Sequence, residues 1–140
     1  METEKTLRKG RDGEIYIVEK LKTLGFRVFY PEDRFSFSDR ILLSPDGRFY
    51  FAQLKHKNPR YKRHDTGMSV RQYNKYLEEQ KRYFVKMIVL FTDDTGSIYG
   101  EWLDNLESCN PVVDFNRKDN YNMIFWLVDK LKDYKELFKC

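Results

Sequence analysis

Apolar residues near the start of the chain recur at spacings that predict one amphipathic helix. Between residues 3 and 24 they lie three, six and eight positions apart, which places them on one helix face. They are Leu7, Ile15, Val18, Leu21 and Leu24. Gly25 follows as an expected C-cap, because glycine adopts a left-handed backbone without a Cβ penalty. Gly10 and Gly13 lower helix propensity, so the pattern defines the end of this helix more sharply than its start.

Three strand-like stretches follow the helix. Residues 26–30 alternate apolar and charged positions, residues 39–44 form a second stretch, and residues 48–56 form a third. Between the second and third lies Ser44-Pro45-Asp46-Gly47, in which proline presets one dihedral angle and glycine supplies a positive φ. This turn predicts that the second and third strands pair as an antiparallel hairpin.

The remaining pattern completes the predicted element order. Ser69 can cap a helix over residues 69–84, and the run VKMIVLF at residues 85–91 predicts a central strand. Residues 98–103 predict another strand, the Asn-, Asp- and Pro-rich residues 107–120 a loop, and residues 123–137 a closing helix. The order is α-β-β-β-α-β plus a C-terminal strand and helix. It predicts an α/β fold with a mixed β-sheet flanked by helices, in a single domain over residues 1–140.

Charge is distributed unevenly along the chain. The net charge is +4, and 41% of the residues are hydrophobic, which excludes a wholly disordered chain. Basic residues cluster at Lys55, Lys57, Arg60, Lys62 and Arg63, and again at Lys5, Arg8, Lys9 and Arg11. Such runs bind a phosphate backbone. They also form ordinary solvated faces, and charge by itself favours that simpler interpretation.

Several function classes have no support in the sequence. Cys109 and Cys140 have neither metal-site spacing nor the number for a disulfide framework, so we expect free thiols. The N-terminal METEKTLRKG lacks the apolar core of a signal peptide, and no apolar run is long enough to span a membrane. No nucleotide-binding or serine-hydrolase motif occurs. We therefore expect a cytoplasmic protein without a membrane partner.

Polar side chains of the predicted hairpin form a candidate metal site. Gln53 and Lys55 lie two positions apart on one strand and so share a face, which the hairpin brings near Asp39. Glu14, on the first helix, could reach the same edge. With the backbone carbonyl of Leu54, these oxygens would suit Mg²⁺ or Mn²⁺. A lysine beside the metal can orient a water molecule and offset charge that builds on a phosphate.

The ordered set of Glu14, then Asp39 before an apolar strand, then Gln53-Leu54-Lys55 resembles the PD-(D/E)XK nuclease superfamily. The run KGRDGE at residues 9–14 is similar to the KGxxxE opening of archaeal Holliday-junction resolvases. Gln72 and Tyr76 form QxxxY, similar to a motif of RecB-like and lambda-exonuclease-like members. The resemblance covers roughly residues 5–92.

This resemblance implies a restriction-endonuclease-like core and a Mg²⁺-dependent deoxyribonuclease, with endonuclease favoured over exonuclease and Mn²⁺ able to substitute. Asp39, Gln53 and Glu14, with the Leu54 carbonyl, would hold the metal, and Lys55 would be the catalytic lysine. It further implies a DNA partner (with RNA left open), a role in DNA repair or recombination, and a homodimer. The expected nucleic-acid-binding residues are Lys57, Arg60, Tyr61, Lys62, Arg63, His64, Gln72, Tyr76, Lys9 and Arg11.

Two positions depart from the superfamily pattern. Ser38 replaces the usual proline, which is a common variation, and Gln53 replaces the usual acidic residue, which removes one negative charge from the site. The same fold could therefore serve as a catalytically weakened or inactive nucleic-acid-binding module. Each site residue also has a structural interpretation: a strand-entry aspartate, a sheet-face amide, a surface lysine, a solvated helix glutamate and a helix-surface pair. A third hypothesis is a protein-interaction domain that presents Trp102 and Trp126.

Overall fold

The computed structural model describes residues 4–32, 39–59, 63–116 and 121–139, without the side chains of residues 4–11, 115, 116 and 121. The elements in chain order are α1 (Glu4–Thr23), β1 (Arg27–Phe29), β2 (Asp39–Leu43), β3 (Phe49–His56), β4 (Asp65–Ser69), α2 (Val70–Tyr83), β5 (Met87–Thr92), β6 (Ile98–Trp102), α3 (Leu103–Leu106), β7 (Val112–Asn116), β8 (Tyr121–Leu127), a 3₁₀ turn (Val128–Lys130), β9 (Lys132–Asp133) and α4 (Tyr134–Leu137).

Two glycine turns define the start of the sheet. Gly25 has a φ of 92° and its N–H donates to the Lys22 carbonyl at 3.0 Å, which ends α1 as predicted. Gly47 has a φ of 88° and donates to the Ser44 carbonyl at 3.0 Å. The turn at Gly47 joins β2 to β3 as an antiparallel pair, which confirms the predicted hairpin.

The strands form two sheets. The larger has six strands in the order β1-β2-β3-β5-β6-β9, in which β3 and β5 are parallel and the other pairs antiparallel. Every residue of β5 is buried, as expected for a central strand. The smaller sheet has three antiparallel strands in the order β4-β8-β7. The large sheet is therefore mixed and flanked by helices, as the sequence predicts.

Alternation along β3 divides the core between the two faces of the large sheet. Ala52 and Leu54 pack with Ile17 and Leu21 of α1. On the opposite face, Val89 and Phe91 of β5 belong to the cluster on the α2 side, together with Tyr76, Met68, Trp126 and Leu106 from the elements packed there. Because side chains alternate along a strand, Gln53 and Lys55 lie on the α2 side of the sheet.

The C-terminal third differs from the sequence prediction. Residues 107–120 were expected to be a loop but contain β7, and the helix expected at residues 123–137 is replaced by β8, the 3₁₀ turn, β9 and α4. Strand β8 satisfies its backbone by pairing with β4, where Met68 lies opposite Ile124. Trp126 is buried, and its indole N–H donates to the Leu106 carbonyl at 2.9 Å. This aromatic segment is the inner strand of the small sheet because a segment distant in the sequence pairs with it.

Two further expectations concern cysteines and membranes. Cys109 is a buried free thiol, as predicted, whereas Cys140 lies outside the described residues. None of the helices in the described ranges has the length and hydropathy that crossing a bilayer requires.

Candidate active site

Asp39 and Gln53 are cross-strand partners in the β2–β3 hairpin. Both are buried, with 6% and 2% of their surface exposed. Strand β1 pairs only with residues 41–43 of β2, so the Asp39 end of β2 extends beyond β1. A carboxylate and a side-chain amide therefore lie side by side on one face of the large sheet, as the hairpin register predicts.

Lys55 follows two positions later on the same face. Its Nζ donates to Gln72 Oε1 at 3.5 Å and lies 5.4 Å from the centre of the Tyr76 ring. Burial lowers the pKa of Lys55 to about 8, and the negative charges of Asp39 and Glu14 oppose that shift. The amine therefore interacts with both carboxylates, and a fraction of it is neutral just above neutral pH.

The start of α2 explains why Gln72 and Tyr76 reach Lys55. The Ser69 hydroxyl accepts a hydrogen bond from the Gln72 backbone N–H at 3.1 Å, which makes it the predicted N-cap. Gln72 and Tyr76 are four residues apart and so lie on one helix face. That face is turned toward β3, so the structure brings this pair to the site.

Glu14 has a partner that the sequence did not indicate. Arg40 Nη2 lies 3.5 Å from Glu14 Oε2, and the two side chains are 3% and 14% exposed. Arg40 also donates to the Asp39 carbonyl at 2.8 Å and to the Tyr30 hydroxyl at 3.3 Å. As the residue after Asp39, Arg40 points to the α1 face, where it links the helix to the start of β2. This contact fixes the Glu14 carboxylate beside the site.

Gly13 allows α1 to approach the end of β3. A Cβ at this position would lie 2.7 Å from the Cβ of His56, closer than side-chain carbons pack. His56 thus faces α1, on the opposite side of the sheet from Lys55, as alternation predicts. On its other side, His56 Nε2 lies 2.9 Å from Asp94 Oδ1 in the turn after β5.

A cavity of about 230 Å³ opens beside Asp39 and Gln53. Glu79 of α2 lines this cavity, together with Pro31, Glu32, Arg40, Ile41, Phe51, Tyr83 and Met87. Burial raises the pKa of Glu79 and the negative charge of Asp39 raises it further, whereas the positive charge of Lys75 opposes both effects. Glu79 lies three residues after Tyr76 and so on the same helix face, but no motif in the sequence marks it as a site residue.

The remaining predicted positions are more dispersed. Leu54 lies between Gln53 and Lys55 with its side chain in the α1-side core. Lys57 follows β3 and donates its backbone N–H to the Thr92 carbonyl at 2.9 Å, and Arg63 and His64 are exposed. Arg60, Tyr61 and Lys62 lie outside the described residues, as do the side chains of Lys9 and Arg11 on α1.

The fit of a divalent cation can be judged from the oxygen donors. In the part of the chain that the structure describes, no group of three or more His, Cys, Asp or Glu side chains could hold a metal ion. The cavity nevertheless presents the Asp39 carboxylate and the Gln53 amide, and Glu79 Oε1 is buried with no hydrogen-bond partner among the described residues. Carboxylate and amide oxygens are ligands that Mg²⁺ accepts, so the donor types fit the ion that the resemblance implies.

Neither a protein-family model nor a curated protein matches this sequence. The structure does match that of Hjc, a Holliday junction resolvase from the archaeal hyperthermophile Archaeoglobus fulgidus. The TM-score is 0.59 at 12% sequence identity, over 91% of this chain and 93% of that one. The chain therefore has the restriction-endonuclease-like fold of this resolvase, the fold that its sequence motifs predict.

Proposed function

We propose that this protein is a metal-dependent deoxyribonuclease with its active centre at Asp39, Gln53 and Lys55. The observation that carries the proposal is the register of the hairpin. It sets Asp39 opposite Gln53 and leaves Lys55 on the same face. The resolvase-like fold supports the proposal, because the matching protein is a nuclease that acts on DNA junctions.

The oxygens of Asp39 and Gln53, with the Leu54 carbonyl and Glu14, would hold Mg²⁺, and Mn²⁺ would substitute. When bound, the cation would polarise the phosphoryl oxygen and lower the pKa of a coordinated water molecule. Lys55 donates hydrogen bonds to a phosphate oxygen and stabilises the charge that develops there. Gln72 and Tyr76 hold the lysine side chain in place from α2.

We infer that the substrate is DNA of defined structure, such as a junction, a flap or an end, because the matching protein is a Holliday junction resolvase. The basic residues after β3 would bind its phosphate backbone, beginning with Lys57 and Arg63. A homodimer would supply the two centres that cutting both strands requires, and we expect endonucleolytic rather than exonucleolytic cleavage. Cross-linking and light scattering with junction DNA would test the dimer.

A cleavage assay tests the proposal. Linear, circular, branched and single-stranded DNA would be incubated with Mg²⁺ or Mn²⁺ and with the variants Asp39→Ala and Lys55→Ala. We expect cleavage by the native protein and loss of at least about 100-fold in each variant. The matched controls are Asp129→Ala and Lys81→Ala, which replace exposed side chains and should cleave normally. Activity that survives both site substitutions would show that the centre lies elsewhere.

A second candidate function is a nucleic-acid-binding module, favoured by the neutral Gln53 at a position where the superfamily has an acid. Substituting Gln53→Glu discriminates between the two. A rise in cleavage would support the nuclease. Unchanged binding without Mg²⁺, together with no cleavage in either form, would support the binding module.

A further inference from the structure

One face of α2 follows β3 along the whole candidate site. Gln72 and Tyr76 contact Lys55, and Glu79 shares a cavity with Asp39 and Gln53. Farther along the same face, the Tyr83 ring lies 5.7 Å from the ring of Phe51. Because these helix positions are four, three and four residues apart, they form one continuous stripe over the strand. Glu79 is the acidic member of this stripe.

Lys75 of the same helix acts on Glu79 with its positive charge, but one oxygen of the Glu79 carboxylate lacks a hydrogen bond from the described residues. Its Oε1 is buried, and no hydrogen-bond donor reaches that oxygen within the described part of the chain. The negative charge of Asp39 acts on it across the cavity. A buried carboxylate oxygen without a donor destabilises a protein and calls for an explanation, and a bound ion is one. A cation between Asp39 and Glu79 would satisfy the oxygen and remove the repulsion.

We propose that Glu79 is a ligand of the divalent cation and supplies, from α2, the negative charge that Gln53 does not supply from β3. The inference rests on the proposed function and names the residue that completes its metal site. With an amide at position 53, the centre would still have two carboxylate ligands, Asp39 and Glu79, in the cavity. Glu14, which the Arg40 guanidinium already neutralises, contributes less negative charge to the ion.

Cation binding, measured without DNA, tests this assignment. Binding of Mn²⁺ alone would be followed by titration calorimetry for the native protein and the variants Glu79→Gln and Glu78→Gln. We expect Glu79→Gln to weaken Mn²⁺ binding about 10-fold or more, because it removes a charged ligand. Glu78 is the matched control, since it is the exposed neighbour on the same helix, and its variant should bind Mn²⁺ like the native protein. Without metal, Glu79→Gln should unfold at the same or a higher temperature, because it removes a partly buried carboxylate of which one oxygen lacks a donor among the described residues.

A charge-relocation variant separates a ligand from a residue that only supports the fold. In Gln53→Glu/Glu79→Gln the negative charge moves from the helix to the strand, and we expect most of the Mn²⁺ affinity to return. Equal Mn²⁺ affinity in the native protein and Glu79→Gln would overturn the inference, as would a double variant that binds no better than Glu79→Gln alone. Either result would leave the proposed nuclease standing if the native protein cleaves DNA. A native protein that neither binds Mn²⁺ nor cleaves DNA would overturn both.

Discussion

Lys55 Nζ of β3 lies 3.5 Å from Gln72 Oε1 of α2, so a neutral amide holds the amine of the candidate site. The Tyr76 ring covers the same amine, and both contacts leave it poorly hydrated. The charges of Asp39 and Glu14 offset this burial only in part, because the pKa of Lys55 remains well below its usual value of 10.5. A charged Lys55 therefore destabilises the folded protein when no metal or DNA is bound.

This cost predicts that Lys55→Met stabilises the metal-free protein at pH 7, by about 1–3 kcal/mol of unfolding free energy. The folded pKa of about 8 lies below the unfolded value of 10.5, so the cost is fully present below pH 8 and disappears as the pH rises to 10.5. The advantage of the variant should disappear over the same range. Urea unfolding at pH 7 and near pH 10 measures it. Lys81→Met, at an exposed position of α2, should show no such pH dependence.

In contrast to Lys55, the ion pair of Arg40 with Glu14 predicts that replacing the basic residue destabilises the protein. Replacing Arg40→Met removes the nearest guanidinium from the poorly exposed Glu14 carboxylate, and we expect a loss of about 3–5 kcal/mol in unfolding free energy. Adding Glu14→Gln should recover part of that loss, since it removes the charge that Arg40 neutralises. Denaturant unfolding of the two single variants and the double variant measures the coupling. Strictly additive effects would contradict it. The exposed pair Lys22 and Glu19 provides a control cycle with little expected coupling.

Close packing at Gly13 reverses the usual effect of alanine in a helix. In a helix interior, Gly→Ala normally stabilises by about 0.5–1 kcal/mol. Here the new Cβ would meet the Cβ of His56 at 2.7 Å, so we expect Gly13→Ala to destabilise by about 1–3 kcal/mol and to displace the neighbouring Glu14. Thermal unfolding measures the change. Ile15→Ala, on the exposed face of α1, is the control and should change stability far less. A gain in stability at Gly13→Ala would show that the helix and strand have room to separate.

The elements predicted correctly are those whose signals are local. The turn from Ser44 to Gly47 defines the β2–β3 hairpin through its own chemistry, and this hairpin sets Asp39 beside Gln53. Ser69 likewise places α2 by capping its first turn. Much of the candidate site depends on this turn and this helix cap. The sequence alone was therefore enough to predict that Asp39, Gln53 and Lys55 lie together.

The incorrect or absent predictions involve contacts between segments that are distant in the sequence. Ile124, Leu127, Val128 and Leu131 lie at helical spacing, yet the first two belong to β8, because β4 lies against this segment and pairs with it. The roles of Arg40 and Glu79 depend in the same way on α1 and α2 packing on opposite faces of the sheet. Neither residue interrupts its local pattern, so no local signal separates them from ordinary surface charges.

The proposed function predicts that DNA binds to the basic residues that follow β3. Each phosphate contact releases counterions, so we expect Lys57→Gln and Arg63→Gln each to lower DNA affinity and to reduce the salt slope by about one. Fluorescence anisotropy across a salt series measures this in an Asp39→Ala background, which should bind DNA without cutting it. Lys22→Gln and Lys81→Gln remove the same charge from exposed positions elsewhere and should leave the slope unchanged. Equal losses in all four variants would show that the net charge, rather than this segment, attracts the DNA.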